Sequence, residues 1–281
     1  MIKRVKTMDT LKFLYTTKPG RVILKPLTSR TVSKITGRFL DSKYSRFLVN
    51  GFIHNNDLDT SEFEKTDFSS FNDCFSRKLK DNARKVETNE NTMISPCDGK
   101  LTVVPIKKGL ALPVKQSIYS IQSLLRDKRL ADRYEGGYAL VYRLCVDNYH
   151  RYCYVESGKK SRNRFIPGVL HTVRPIALEN RPVFIENCRE YTCIKTERFG
   201  ILTQMEVGAM LVGKISNHLA GKGPVKRGSE KGTFLYGGST IIVLVEPDKL
   251  TVDDHILESS KMGREFPVLY GQRIGEVSHA L

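Results

Sequence analysis

The chain has 281 residues, 40% hydrophobic and 27% charged, with a net charge of +16 and a pI near 9.6. This composition fits a globular protein of one or two domains with a sizeable core, and no run approaches the roughly 18 apolar residues that cross a bilayer. So basic a balance calls for an acidic partner, either nucleic acid or anionic lipid. The six cysteines (Cys74, Cys97, Cys145, Cys153, Cys188 and Cys193) contain no Cys-x-x-Cys pair. They read as reduced thiols, with neither a disulfide framework nor a zinc or other metal site.

The N-terminus lacks the apolar stretch of a secretory signal. Residues 1–50 carry twelve Lys or Arg against two Asp, so +10 of the +16 sits there. In "TVSKITGRFLDSKYSRFLVNGFI", Val32, Ile35, Phe39, Phe47 and Leu48 recur at helical spacing, with Lys34, Arg38, Lys43 and Arg46 between them. Such a helix either lies in a membrane interface or packs on a core with its basic face in water. Residues 55–70 are polar and acidic and read as a connection. "SFNDCFSRKLKDNARKV" follows, with Phe71 and Phe75 one turn apart, and predicts a helix or arm packing on the next domain.

From about residue 93 short β-rich runs succeed one another between Gly, Pro and Asp: "KLTVVPI" (100–106), "YALVYRLCV" (138–146), "GILTQMEVGAMLVGKI" (200–215) and "STIIVLVEP" (239–247). A helix is expected near "SIYSIQSLLRD" (117–127). The pattern predicts an α+β fold: a mainly antiparallel β sandwich or barrel-like core with a helical, basic N-terminal region. The expected division is residues 1–85 as a basic, membrane-docking region and 86–281 as a β-rich catalytic domain.

Several residues are candidates for chemistry. Asp98 stands in a Pro-x-Asp-Gly turn, which is ordinary turn chemistry on its own. His150 and Arg151 end a strand beside Tyr149, and His171 sits in "GVLHTVRP". Gly237-Gly238-Ser239-Thr240 precedes an apolar run and reads first as a tight turn. Together, an aspartate, a histidine and a serine spaced along a β-rich chain can activate a hydroxyl. No Gly-x-Ser-x-Gly elbow surrounds Ser239. Gly238 leaves the carbonyl before Ser239 unshielded, so attack by the serine's own Oγ is an alternative to the turn.

"PCDGKL", "NYHRY", "FIPGVLHTVRPIALENRPVFIENCREYTCI", "QMEVGAMLVGKI" and "RGSEKGTFLYGGSTIIVL" together resemble the phosphatidylserine decarboxylase family. The resemblance runs from the N-terminal helices to about Glu246. It implies a proenzyme in which the Gly238–Ser239 bond is cut by the chain itself, giving a β chain of residues 1–238 and an α chain of residues 239–281. Ser239 would become a covalent pyruvoyl group, the cofactor, whose ketone condenses with the serine amine of phosphatidylserine and accepts the electrons released as CO₂ leaves. The product would be phosphatidylethanolamine.

The resemblance further implies that Asp98 orients a histidine that activates Ser239, with His150 the first candidate and His171 kept beside it. Arg151 would hold a substrate phosphate or carboxylate. One position departs from the family pattern: where a second histidine is expected, three residues after His150, this chain has Cys153. The implied partners are an anionic phospholipid membrane, met peripherally at the cytoplasmic face of a bacterial membrane, and the two chains of one precursor. Nucleic acid is not expected and a homodimer is left open. The rival readings are an unprocessed paralogue that binds anionic lipid and a pyruvoyl enzyme acting on another amine-bearing carboxylate.

Overall fold

The computed structural model of the chain describes residues 10–107, 109, 111–114, 117–210, 215–235 and 239–278. Five helices come first: α1 (10–16), α2 (Lys18–Leu27), α3 (Arg30–Asp41), α4 (Leu48–Asn55) and α5 (Phe71–Phe75). Thr17 caps α2 by accepting from the Gly20 N–H, and Ser29 caps α3 by accepting from Val32. Gly20 is required where α1 meets α2, because a Cβ there would stand 2.1 Å from the Phe13 carbonyl oxygen.

The helical periodicity predicted through residues 31–53 is interrupted. Ser42 is extended, and its hydroxyl donates to the Phe39 carbonyl. The Ser45 hydroxyl donates to the carbonyls of Leu40 and Ser42. These serines satisfy the end of α3 locally and stop it, and a single 3₁₀ turn precedes α4. Ser45 Oγ also accepts from the Phe71 N–H at 2.9 Å, tying α3 to α5. Leu40, Val49, Phe52, Phe63, Phe68, Phe71, Cys74 and Phe75 form a small core of their own. α1 and α2 instead send Leu14, Tyr15 and Leu24 into the core of the β-rich part.

That part contains β1 (Thr92–Ile94), β2 (Gly99–Pro105), β3 (Ala111–Val114), β4 (Ser117–Ser120), α6 (Ile121–Leu125), α7 (Lys128–Asp132), β5 (Tyr138–Leu144), β6 (Arg151–Cys153), β7 (Gly158–Lys160) and β8 (Arg164–Ile166). It continues with α8 (Pro175–Asn180), α9 (Val183–Glu186), β9 (Arg189–Lys195), β10 (Ile201–Val207), β11 (Ile215–Asn217), β12 (Gly223–Val225), β13 (Glu230–Phe234) and β14 (Ser239–Val245). β15 (Leu250–Val252), α10 (Asp254–Lys261), β16 (Phe266–Val268) and β17 (Arg273–Val277) complete it. The helix expected over 117–127 is shorter: residues 117–120 pair with β3, and only 121–125 are helical.

The main sheet runs β12-β7-β9-β10-β14-β5-β2-β16, antiparallel throughout, with β8 also paired to β9. It is open, so the sandwich expectation holds and barrel closure does not. Helices α6 to α9 cover one face, packing on Val141, Met205, Val207, Ile242 and Leu244. The small sheets β11-β13-β6 and β1-β17-β15 cover the other, over Leu101, Leu140, Tyr142, Leu202 and Ile241. β14 lies between β10 and β5 and is buried along its whole length, which is why "STIIVLV" shows no polar alternation. Each such aliphatic side chain contributes about 1.5–3 kcal/mol by leaving water.

Candidate active site

Three neighbouring strands bring the candidates to one end of the main sheet. Ser239, the first residue of β14, pairs with Leu144, the last of β5. Gly99, one residue after Asp98, lies against the backbone of Arg143 and Leu144. On the other side, Val207 of β10 pairs with Thr240, which brings Gly208 next to Ser239. Ser239 is fully buried. Gly238 lies outside the described residues.

His150 ends the loop that leaves β5 beside Ser239. Its carbonyl accepts from the Phe234 N–H, so the end of β13 is pinned to it. The imidazole is fully buried, with its ring 4.0 Å from that of Phe75. Nδ1 is 2.9 Å from the Asn148 carbonyl oxygen, and Nε2 is buried without a hydrogen-bond partner among the described residues. Burial, reinforced by the Arg77 charge, pushes the His150 pKa down to about 3. The ring is neutral at physiological pH, with an available lone pair.

His171 stands on the Gly208 side. Asn187 Nδ2 donates to the carbonyls of His171 and Gly208, which fixes this position. His171 Nε2 lies 3.2 Å from Glu186 Oε2, and Nδ1 lies 3.2 Å from the Tyr15 hydroxyl. Burial, with a smaller contribution from Arg181, lowers its pKa to about 4. The Glu186 carboxylate is thus a close neighbour of Nε2, without the geometry of a hydrogen bond. Nδ1 and the Tyr15 hydroxyl share a hydrogen bond, and the Tyr15 oxygen also accepts from the Thr172 N–H. His171 is thus flanked by Tyr15 and Glu186, whereas His150 Nε2 has no hydrogen-bond partner among the described residues.

Among the described residues, Asp98 hydrogen-bonds with Arg84 and Tyr270 and with neither histidine. Arg84 Nε donates to both carboxylate oxygens at 3.0 Å, Arg84 Nη2 to Oδ2 at 2.7 Å, and the Tyr270 N–H to Oδ1 at 2.8 Å. The group facing His150 Nδ1 is a backbone carbonyl, that of Asn148. Arg151 is likewise engaged. Its Nε donates to the carbonyls of Ser76 and Arg77, and Nη1 donates to Glu230, which also receives His218 Nε2. Burial raises the Cys153 thiol to about 12, so it stays protonated and is a poor substitute for a basic histidine.

Sequence reading missed Arg77 and Arg84. Both lie in "SRKLKDNAR", which by itself shows only a basic stretch after a short helix. Nothing in their spacing reveals that one meets the 147–148 carbonyls and the other Asp98.

The sequence model of the family described as phosphatidylserine decarboxylase matches residues 71–276. Phosphatidylserine decarboxylase proenzyme 2 of Clostridium acetobutylicum is 43% identical over 95% of this chain and 92% of its own length. The phosphatidylserine decarboxylase proenzymes of Ruminiclostridium cellulolyticum and Clostridium botulinum are 41% and 39% identical, covering 98% and 94% of this chain and 93% and 91% of theirs. An open antiparallel sheet with a buried serine at the head of its central strand is here the scaffold of a decarboxylating enzyme. The chain belongs to the phosphatidylserine decarboxylase family.

Proposed function

We propose that the chain is made as a precursor, cuts its own Gly238–Ser239 bond, and then converts phosphatidylserine to phosphatidylethanolamine at a membrane surface. The observation that carries this is the position of Ser239: buried, heading the central strand, next to the loop that presents the unpartnered Nε2 of His150. The proenzyme names of the relatives support the processing.

In this reading the Ser239 hydroxyl attacks the Gly238 carbonyl carbon and its proton passes to His150 Nε2. The amide C–N bond breaks as the new C–O bond is established, and the proton goes to the freed Ser239 nitrogen. Loss of the Ser239 Cα proton then breaks the Cβ–Oγ bond, releasing the Gly238 carboxylate and leaving a dehydroalanine, whose imine form takes up water to give the pyruvoyl ketone and ammonia. A base held at so low a pKa gives a slow reaction, which suffices for an event that each molecule performs once. The pyruvoyl group derived from Ser239 would supply the electron sink for loss of CO₂. β14 would hold that end rigidly, and the buried surroundings would limit the entry of water.

Membrane contact falls to the basic helices. Among the described residues no helix is long and apolar enough to cross a membrane. Val22, Ile23, Ile35, Phe39, Tyr44 and Phe47 are exposed on α2, α3 and the turn after it, among Lys18, Arg21, Lys25, Lys34, Arg38, Lys43 and Arg46. Exposed apolar side chains interleaved with cations suit an anionic lipid interface.

Intact-mass measurement tests the reading. Purified protein is expected as two chains, the smaller beginning at residue 239 with a ketone, and Ser239→Ala as a single chain of 31.9 kDa. A wild-type preparation that remains one uncut chain, or releases no CO₂ from phosphatidylserine vesicles, overturns it.

A further inference from the structure

Two side chains converge on the backbone between β5 and β6. The Asn148 carbonyl oxygen lies 2.9 Å from His150 Nδ1 and 3.4 Å from Arg77 Nη2, and Arg77 Nη2 also donates to the Asp147 carbonyl at 3.2 Å. A carbonyl can only accept. His150 therefore carries its proton on Nδ1, which leaves the lone pair on the buried Nε2.

Arg77 comes from just beyond α5, whose Phe75 lies against the His150 ring. It is 5% exposed, with its guanidinium 4.9 Å from the centre of the Phe63 ring. Its Nε and Nη1 are buried without hydrogen-bond partners among the described residues. Burying a cation with two unmade hydrogen bonds is destabilising, and an apolar side chain of similar size would fill the space at lower cost. Packing alone does not account for an arginine here.

We infer that Arg77 is a positioning residue for self-cleavage: by holding the carbonyls of Asp147 and Asn148 it keeps the Asn148 oxygen against His150 Nδ1 and so presents Nε2 as the basic nitrogen. A backbone carbonyl clamped by an arginine thus takes the part that a carboxylate fills in a Ser-His-Asp arrangement, while Asp98 is held by Arg84. The Arg77 charge also acts on His150 and helps to keep the ring neutral. The helical N-terminal region would then be part of the self-cleavage apparatus, supplying Phe75 and Arg77 to one histidine.

The inference rests on His150 being the base, and the two can fail separately. Nitrogen-15 NMR of imidazole in the Ser239→Ala chain reads the tautomer without any cleavage. His150 is expected as the Nδ1–H form there, and as a mixture once Arg77→Met is added. In chains that keep Ser239, Arg77→Met should slow self-cleavage at least about tenfold, and Arg77→Lys, which keeps a charge and a donor, should restore part of the rate. An unchanged tautomer, or cleavage within about twofold of wild type, overturns the role of Arg77. If Arg77→Met lacks a cooperative urea transition, Arg77→Lys decides by the same two readouts, a change in neither being the overturning result. Undiminished cleavage in His150→Ala would instead remove His150 as the base and leave the tautomer result standing.

Discussion

Arg84 clamps Asp98 from one side with three hydrogen bonds of 2.7–3.0 Å, and the same guanidinium reaches Glu62 through Nη1 at 3.1 Å. Asp98 is nearly buried, so removing Arg84 leaves a carboxylate with the Tyr270 N–H as its remaining partner. Arg84→Met is expected to destabilise the chain by about 3–5 kcal/mol, the usual effect of breaking one side of a buried pair. Urea unfolding in the Ser239→Ala background, where every molecule is uncut, measures it. Adding Asp98→Asn should cost less than the sum of the two single changes, because the stranded charge is gone. Additive losses would show that the pair is not coupled.

How much of this was legible in the sequence differs by element. β5 and β14 could be read almost to the residue, because six of the seven positions of each are β-branched, aliphatic or aromatic and the runs are bounded by turn residues. α3 was legible as an amphipathic helix, but its end was not, since Ser42 and Ser45 act through backbone bonds that hydrophobic spacing does not register. Within the site, Ser239, His150 and Asp98 could be picked out by type and motif. Their partners could not. Arg77 and Arg84 lie in a basic stretch whose residues look alike until tertiary structure sends one to Asn148 and the other to Asp98.

Acid should destabilise the fold through the two buried histidines. In the unfolded chain a histidine titrates near 6.5, whereas in the fold His150 is held at about 3 and His171 at about 4. Above pH 6.5 both states are neutral and these residues add no pH dependence. Below it the unfolded chain takes up protons that the folded chain refuses, so stability falls as pH drops from 6.5 towards 4. Urea midpoints across that window should decline, and His150→Gln should flatten the decline. Parallel slopes for wild type and His150→Gln would mean that His150 is not held neutral in the fold.

Cleavage at 238/239 should not release the smaller chain. β14 pairs with β5 from Ser239 to Val245 and with β10 from Thr240 to Leu244, and it is buried throughout. Further along, β16 pairs with β2, and β17 pairs with β1 and β15. Residues 239–278 are thus woven through two sheets. The two fragments are expected to elute together in native gel filtration and to part only in denaturant. Loss of the fragment that begins at residue 239 under native conditions would contradict this strand order.

Lipid attachment should depend on apolar and cationic residues together. Ile35 and Phe47 are 63% and 74% exposed, so replacing them leaves the small helical core intact. Ile35→Glu with Phe47→Glu is expected to weaken binding to phosphatidylserine-containing vesicles by at least about tenfold, through lost apolar burial and added negative charge. Binding of the wild type should fall with salt, as screening weakens the attraction between Lys or Arg and lipid phosphate. Sedimentation with vesicles measures both. Unaltered binding by the double variant would move the contact surface elsewhere.

Cys153 occupies the position where the family pattern places a second histidine, and its surroundings decide what it can do. The thiol is fully buried and makes a long hydrogen bond to the Ser95 carbonyl, 3.9 Å from sulfur. Burial dominates and drives its pKa to about 12, outweighing the Tyr270 side chain and the nearby backbone groups that favour the thiolate. A thiol held that high cannot take a proton from Ser239 at neutral pH, so its contribution is to packing. Cys153→Ala is therefore expected to leave the self-cleavage rate within about twofold while lowering stability by roughly 1–2 kcal/mol for the small cavity left behind. His150→Ala should show the opposite pattern, with cleavage falling by about 10²–10⁴. A time course of precursor and product by intact mass, run beside urea unfolding, separates the two effects. A cleavage defect in Cys153→Ala as large as that in His150→Ala would make the thiol part of the reaction and return the choice of base to position 153.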